Sequence, residues 1–422
     1  MQYERVKGTY DMLPEKSLVF KQVQSILSKT MESYGFLFSR TSVLQPMEMF
    51  RRAVGGETDI VNKEMFSIKS KSGKEYVLKP EETAPLMRAV IEENFIQGAK
   101  TAKLYYFNPL YRHERPQKGR YREFFQYGAE IINSSDVRRD CELILLGIEI
   151  LNNFKIENYS IEINSIGCSK CRPEYIKLLK SHLDSKADTL CPLCNERKNL
   201  NPMRVLDCKN ESCRDSVKDA PLITGHLCGE CRDDFDSLKE LLADFKIKYS
   251  VNPMIVRGLD YYTKTVFEFV ESGDALGSQS TLIGGGRYDL LAEALGGSNL
   301  PSCGFAGGVE RLILSLSDEM KNQMIGKLHL DAFIVHFGGE TMNRGFHLMQ
   351  DLRKRSLSAD MLFETVKMKR QLSVASECSR FALIIGEDEL KENAVLVKNM
   401  KTQEQTKTVF DADEIISILN KG

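Results

Sequence analysis

The sequence predicts an α+β domain built on an antiparallel sheet, a small cysteine-rich insertion within it, and a C-terminal α/β domain with a mixed sheet. Three observations carry this. Residues 60–132 and 254–311 hold β-type runs separated by Gly- or Pro-bearing segments. Eight of the eleven cysteines fall between Cys168 and Cys231. From Asp331 onward, short apolar runs alternate with helical patterns. The expected boundaries are 1–165 with 252–322 for the first domain, 166–251 for the insertion and 328–422 for the last.

At 422 residues the chain can bury two or three cores. Its net charge of −1 supplies no global field for nucleic acid, so polyanion contacts must come from local patches. The N-terminus, MQYERVKGTYDMLPEK, lacks the apolar stretch of a secretory signal. No run approaches the ~18 apolar residues of a membrane span. Cysteines in such a chain point to a reducing compartment, where thiols serve metals or cores, so a cytoplasmic protein without a membrane partner is expected.

Taken in order, residues 17–34 carry apolar positions at helical spacing, and Gly35 ends the helix. Phe36 to Leu44 reads as a strand stopped by Pro46. Residues 60–80 read as a hairpin about Ser72-Gly73, leading into a helix from Ala84 to Glu93. At that junction Glu81 and Thr83 can either cap the helix or bind an ammonium group. Tyr105-Tyr106-Phe107 pairs with the alternating segment ending at Ile132, and the basic tract from Arg112 to Gly119 connects them. Alternation puts Gln126 and Glu130 on one strand face, with side-chain-free Gly128 leaving a gap between them. That is either a seat for a small polar ligand below a phosphate-holding loop or a solvated basic hairpin. Residues 136–154 read as a helix and Tyr159 to Ile163 as a strand.

The cysteines then come in pairs: Cys168 and Cys171, Cys191 and Cys194, Cys208 and Cys213, Cys228 and Cys231. Four such pairs could supply two tetrahedral thiolate zinc sites, or they are small buried side chains of a compact helical module. Spacing does not say which pair joins which. Beyond them Met254 to Arg257 reads as extended, and a break at Gly258 would bring Arg257 and Tyr262 to one site. Gly284-Gly285-Gly286 is either a close backbone approach to a ligand or a tight turn. A strand through Gly307-Gly308 enters a helix that carries Arg311 in an anion-friendly first turn. Asn322 to Lys327 reads as a linker. The last domain reads β (331–337), α (345–356), β (360–364), α (367–380), β (381–386), two further strands and a terminal helix, a mostly parallel sheet.

No Walker loop is present, yet Arg112, Arg257 and Arg311 all stand in phosphate-friendly settings. Together with YRHERPQKGRYREFFQYGAE, RGLDYYTKTVFEF, GGGRYD and GFAGGVERL, the chain resembles the class II aminoacyl-tRNA synthetases, and within them the histidyl-tRNA synthetase family. KGTYDMLP and the helix–strand unit ending at Pro46 look like the family's start and its dimer-forming motif, so the resemblance covers essentially the whole chain.

The resemblance implies a histidine–tRNA ligase that uses ATP with Mg2+ and acts on tRNA(His) as a homodimer. Arg112 and Arg257 would flank the α-phosphate and Arg311 would hold the γ-phosphate. Glu81 and Thr83 would take the α-amino group of histidine, Gln126 its carboxylate side, and Glu130 with Tyr262 its imidazole, Tyr261 standing beside them. Arg115 and Gln117 would approach the tRNA acceptor end, and the last domain would resemble an anticodon-binding domain. Attack of a carboxylate on phosphorus needs charge stabilisation but no side-chain base, which suits a site of guanidinium groups. Glu82 stands where the family often has Gly, and many relatives lack the cysteines, so zinc rests on spacing alone. A regulatory paralogue is disfavoured by the three arginines and the last domain, and another class II synthetase by RGLDYYT and GGGRYD.

Overall fold

The structure, a computed structural model, describes residues 3–55, 58, 60–273, 280–325 and 330–420. It divides into two compact units, 1–320 and 321–422. In the first unit the strands are β1 (Leu37–Phe38), β2 (Leu44–Pro46), β3 (Phe66–Lys69), β4 (Glu75–Leu78), β5 (Ala102–Tyr111), β6 (Glu123–Ile132), β7 (Tyr159–Ser165), β8 (Ser250–Val251), β9 (Thr263–Glu271), β10 (Thr281–Arg287) and β11 (Ser302–Gly308). They build an eight-stranded sheet of order β1-β5-β6-β11-β10-β9-β7-β8 and a three-stranded sheet of order β2-β4-β3. The six central strands of the large sheet are antiparallel, and only its outermost pairs, β1 with β5 and β7 with β8, are parallel.

The pleat sorts the two faces of this sheet. On one face Tyr127 of β6 and Phe305 of β11 are buried. Helix Arg138–Asn153 turns Leu143, Ile144, Leu146, Ile150 and Leu151 inward, and Gly147 lets its backbone lie on the Phe269 ring. Arg287, at the end of β10, makes a buried ion pair with Asp140 of that helix (2.6 Å) and donates to the carbonyls of Ser134 and Asp136, both at 2.9 Å. It therefore clamps sheet to helix. The opposite face carries Gln126, Gly128 and Glu130 of β6 in register with Gly308, Ala306 and Gly304 of β11. Small residues there leave room above the backbone, taken by Tyr106 at Gly128 and by Glu130 at Gly304 and left clear at Gly308.

Several elements differ from the sequence reading. Phe36 to Leu44 is not one strand: Leu37–Phe38 joins the large sheet and Leu44–Pro46 the small one. Residues 60–64 form a π-type turn before the hairpin. Met254 to Arg257 is not a strand, because Ser250–Val251 already completes the edge pairing with β7. Gly284 to Gly286 is not a tight turn but the middle of β10, paired on both sides. Asn322 to Ile325 ends a helix, Asp318–Ile325, while Gly326 and Lys327 lie outside the described residues.

The cysteine-rich segment folds into short helices and packs within the first unit, its buried Tyr175, Leu179 and Leu183 sharing a core cluster with Tyr261 and Tyr262. In the second unit β12 (Leu330–His336), β13 (Ala359–Met361), β14 (Ser379–Ile385), β15 (Ala394–Asn399) and β16 (Gln405–Val409) form a mixed sheet of order β13-β12-β14-β15-β16. Both pairs at β12 are parallel and the two beyond β14 antiparallel. Helices Gly339–Lys354 and Ala412–Leu419 cover one face, and Met368–Cys378 covers the other.

Candidate active site

A cavity of about 210 Å³ opens above the glycine-bearing face of the large sheet. Its walls include Glu81, Thr83, Arg112, Gln126, Arg257, Tyr261, Tyr262 and Arg311, so eight of the expected site residues converge from five segments. Arg115 and Gln117 do not line it. They sit exposed at the tip of the 112–122 loop, where Gln117 and Arg120 exchange backbone hydrogen bonds in a tight turn.

The end of the cavity near this loop is cationic. The Arg112 Nε donates to the Pro80 carbonyl (2.9 Å) and its guanidinium lies over the Phe124 ring. Arg311 donates to the carbonyls of Gly119 (3.2 Å) and Thr281 (3.1 Å). Burial, reinforced by the positive charges of Arg120 and Arg112, holds its guanidinium below the usual arginine range. Arg257 comes from the irregular segment before β9; the break at Gly258 does bring it to Tyr262, whose ring is 5.5 Å away. Its guanidinium occupies the room left by Gly284 and pairs with Glu268. Burial is the largest influence and lowers its proton affinity, but Glu268, Tyr262 and Tyr261 together outweigh this and raise it. Its Nε is buried without a hydrogen-bond partner among the described residues.

The other end is acidic. Glu81 is buried and accepts from the backbone N–H groups of Thr83 (2.8 Å) and Ala84 (3.0 Å), capping helix Thr83–Glu92. Capping and cavity lining are thus not alternatives here. Burial pushes Glu81 up to about 7, despite those two bonds. Glu130 lies behind Thr83 rather than on the cavity wall. Its Oε1 accepts from the Thr83 hydroxyl (2.7 Å), its Oε2 from the Tyr288 hydroxyl, and its carboxylate fills the space left by Gly304. Burial pushes it up to about 8, opposed by the Tyr288 and Thr83 bonds and helped by the Glu81 charge. The gap expected at Gly128 is taken by the Tyr106 phenol.

Glu82 explains itself once its surroundings are known. It is fully buried, pairs with Lys79 (2.6 Å), and accepts from the Thr41 hydroxyl (2.7 Å) and the Asn108 amide (2.9 Å). A side chain at this position ties the 79–83 junction to β5 and to the segment before β2. Sequence reading also missed Tyr288, Tyr106, Glu268 and Glu310. Glu310 lines the cavity, accepts the Phe125 N–H (2.8 Å) and receives the Tyr10 hydroxyl, which docks the N-terminal segment beside β6. A signal for Tyr288 existed, since it follows a triple-glycine strand that leaves little else to fill the space.

An antiparallel sheet with arginines standing over a glycine-bearing face, fed by a basic hairpin loop, is the catalytic architecture of the class II aminoacyl-tRNA synthetases. Residues 8–312 match the family model described as histidyl-tRNA synthetase, and residues 331–421 match an anticodon binding domain. The histidine–tRNA ligase of Clostridioides difficile is 43% identical over 405 residues, 95% of each chain, and that of Caldanaerobacter subterraneus is 42% identical over 97% of each. The apo S. aureus histidyl-tRNA synthetase superposes with a TM-score of 0.81 at 30% identity, covering 97% of this chain and 98% of its own. The chain belongs to the histidyl-tRNA synthetase family.

Proposed function

We propose that this chain activates histidine with ATP and transfers it to the 3′ end of tRNA(His). The carrying observation is a single cavity with three arginines on its walls (Arg112, Arg257, Arg311) toward one end and the buried carboxylate Glu81 at the other, with Glu130 behind Thr83. In the first step a carboxylate oxygen of histidine attacks the α-phosphorus of ATP, the bond to the β-phosphate oxygen breaks, and pyrophosphate leaves. Arg112 and Arg257 stabilise the charge on the α-phosphate, and Arg311 holds the γ-phosphate. ATP enters as its Mg2+ complex. In the second step the terminal ribose hydroxyl attacks the acyl carbonyl and AMP departs, with Arg115 and Gln117 on the exposed loop facing the acceptor end.

Glu81 and Thr83 receive the α-ammonium group, Gln126 the carboxylate side, and Tyr262 with Glu130 the imidazole, with Tyr261 packing beside them. Both Glu130 oxygens already accept one bond, and each carboxylate oxygen has a second lone-pair site. A substrate without a ring N–H leaves that acceptor unmet in a desolvated pocket, which favours steep discrimination. We assign the catalytic domain to 1–165 with 252–322, the insertion to 166–251 and the tRNA anticodon contact to 328–422. A cytoplasmic homodimer is the expected state, and zinc the cation for the cysteine sets. Among the described residues no helix is long and apolar enough to cross a membrane. The test is ATP–pyrophosphate exchange with each of the twenty amino acids. Histidine alone should support exchange; exchange with none, in folded protein, would sink the reading.

A further inference from the structure

The eight clustered cysteines line no part of the cavity. The fold sorts them into two sets, Cys168, Cys171, Cys228 and Cys231 in one, and Cys191, Cys194, Cys208 and Cys213 in the other. Within each set the four sulfurs lie within 4.8 Å of one another. Four sulfurs around zinc at Zn–S about 2.3 Å stand about 3.8 Å apart along each tetrahedral edge. The Cys168 sulfur is 3.7 Å from that of Cys171 and 3.9 Å from that of Cys228. Backbone N–H groups also aim at the sulfurs: Cys228 to Cys171 Sγ and Cys191 to Cys213 Sγ, both at 3.1 Å. Such donors suit thiolates that hold a cation.

Each set stands beside one anchor of the Arg257–Tyr262 segment. Arg172, next to Cys171, donates through Nε to the Ile166 carbonyl (3.0 Å) and through Nη2 to the Tyr262 carbonyl. From the stretch between Cys194 and Cys208, Arg204 donates to the Gly258 carbonyl, and Asn201 to Asp260 (2.8 Å). The segment has no strand or helix of its own, so these side chains supply much of its hydrogen bonding. It carries Arg257, Tyr261 and Tyr262.

We propose that the insertion binds two zinc ions, pairing the first cysteine pair with the fourth and the second with the third, and that these sites position the Arg257–Tyr262 segment from its two ends. The proposal rests on the functional reading only for what the segment does, because metal content and backbone protection are measured without substrate. Asn201, Arg172 and Arg204 are positioning residues under it, and the zinc ions are structural.

The test starts with elemental analysis of the full chain purified under reducing conditions, where two zinc ions per chain are expected. The double variant Cys168→Ser/Cys228→Ser should keep one, and Cys168→Ser/Cys191→Ser should keep none. Loss of both ions in the first variant would overturn the pairing, and a folded chain without zinc would overturn the sites. Hydrogen exchange at residues 257–262 should rise in the one-zinc variant while the central strands stay protected. Unchanged exchange there would overturn the coupling. Because cysteine variants can fail to fold, Arg172→Lys and Asn201→Ala serve as a second arm. Both should retain two zinc ions, raise exchange at 257–262 and lower kcat/KM for histidine activation by roughly 10- to 100-fold. Full activity with unchanged exchange in both would equally refute the coupling. Absence of histidine-dependent pyrophosphate exchange in the unmodified chain would instead refute only the functional reading.

Discussion

The two ends of the cavity are built on the same plan with opposite charge. At the loop end, burial and neighbouring arginines weaken the hold of Arg311 on its proton. At the other end, burial pushes Glu81 and Glu130 up toward neutrality. Arg257 is paired with Glu268, but Arg112 and Arg311 rest on carbonyls, and the charges of one end do not neutralise those of the other. Like charges gathered in a desolvated wall are unfavourable until a ligand of opposite sign arrives, so their persistence marks the two places where charge is to be received. The difference lies in what stands behind each charge: at the acidic end Lys79 is bonded to Glu82 behind the cavity wall, whereas at the other end Arg257 pairs with Glu268 while Arg112 and Arg311 lean on carbonyls.

The largest effect should come from removing the Lys79 cation. Lys79→Met leaves Glu82 buried and unpaired and should destabilise the chain by about 3–5 kcal/mol in urea unfolding. A change under 1 kcal/mol would mean that the acidic end does not depend on it. Next, Arg257→Ala should reduce adenylate formation roughly 10²–10³-fold while histidine binding by calorimetry survives. Equal loss of both would erase the distinction between the ends. The matched pair Arg311→Ala and Glu130→Gln sharpens it further. Each should cost about 10- to 100-fold, the first in the KM for ATP and the second in kcat/KM for histidine. If both variants moved the same parameter, the two ends would not be separate subsites.

The smallest effect is a pH dependence. Glu81 and Glu130 have folded-state values of about 7 and about 8, above the ordinary value of 4.5. Their contribution to stability is therefore fully present below about 4.5 and lost as pH rises through 7 to 8. The melting temperature of the free chain should fall between pH 5.5 and pH 8.5. Saturating histidine, whose ammonium favours the carboxylate forms, should flatten that slope, and Glu130→Gln should reduce it even without ligand. A slope unchanged by either would mean that these carboxyl groups are not the ones titrating.

Alternation alone was enough to place Gln126, Gly128 and Glu130 on one face, because the strand period does not depend on what packs around it. The hairpins, the helix after Thr83 and the β/α order of the last unit were legible for the same reason. For Gly284 to Gly286 the tight-turn alternative fails while Gly284 does line the cavity, and the two readings stood open because a glycine run looks alike in a turn and in a strand. Only the partners β9 and β11, with Arg257 lying against Gly284, separate the two. Met254 to Arg257 was misjudged because its apolar run serves burial rather than pairing. The enclosure of Glu130 by Thr83 and Tyr288 was invisible, since those contacts span 47 and 158 residues.

The sequence by itself determined the family motifs, the three arginines and the cysteine pairs, since each is a matter of residue type at short spacing. Tertiary structure decided which cysteine pairs meet, which carboxylate faces the cavity and which stands behind it, and how Glu82 is held. Those choices depend on contacts between separate chain segments: the helices of the insertion for the cysteines, and the strands of the large sheet for Glu130.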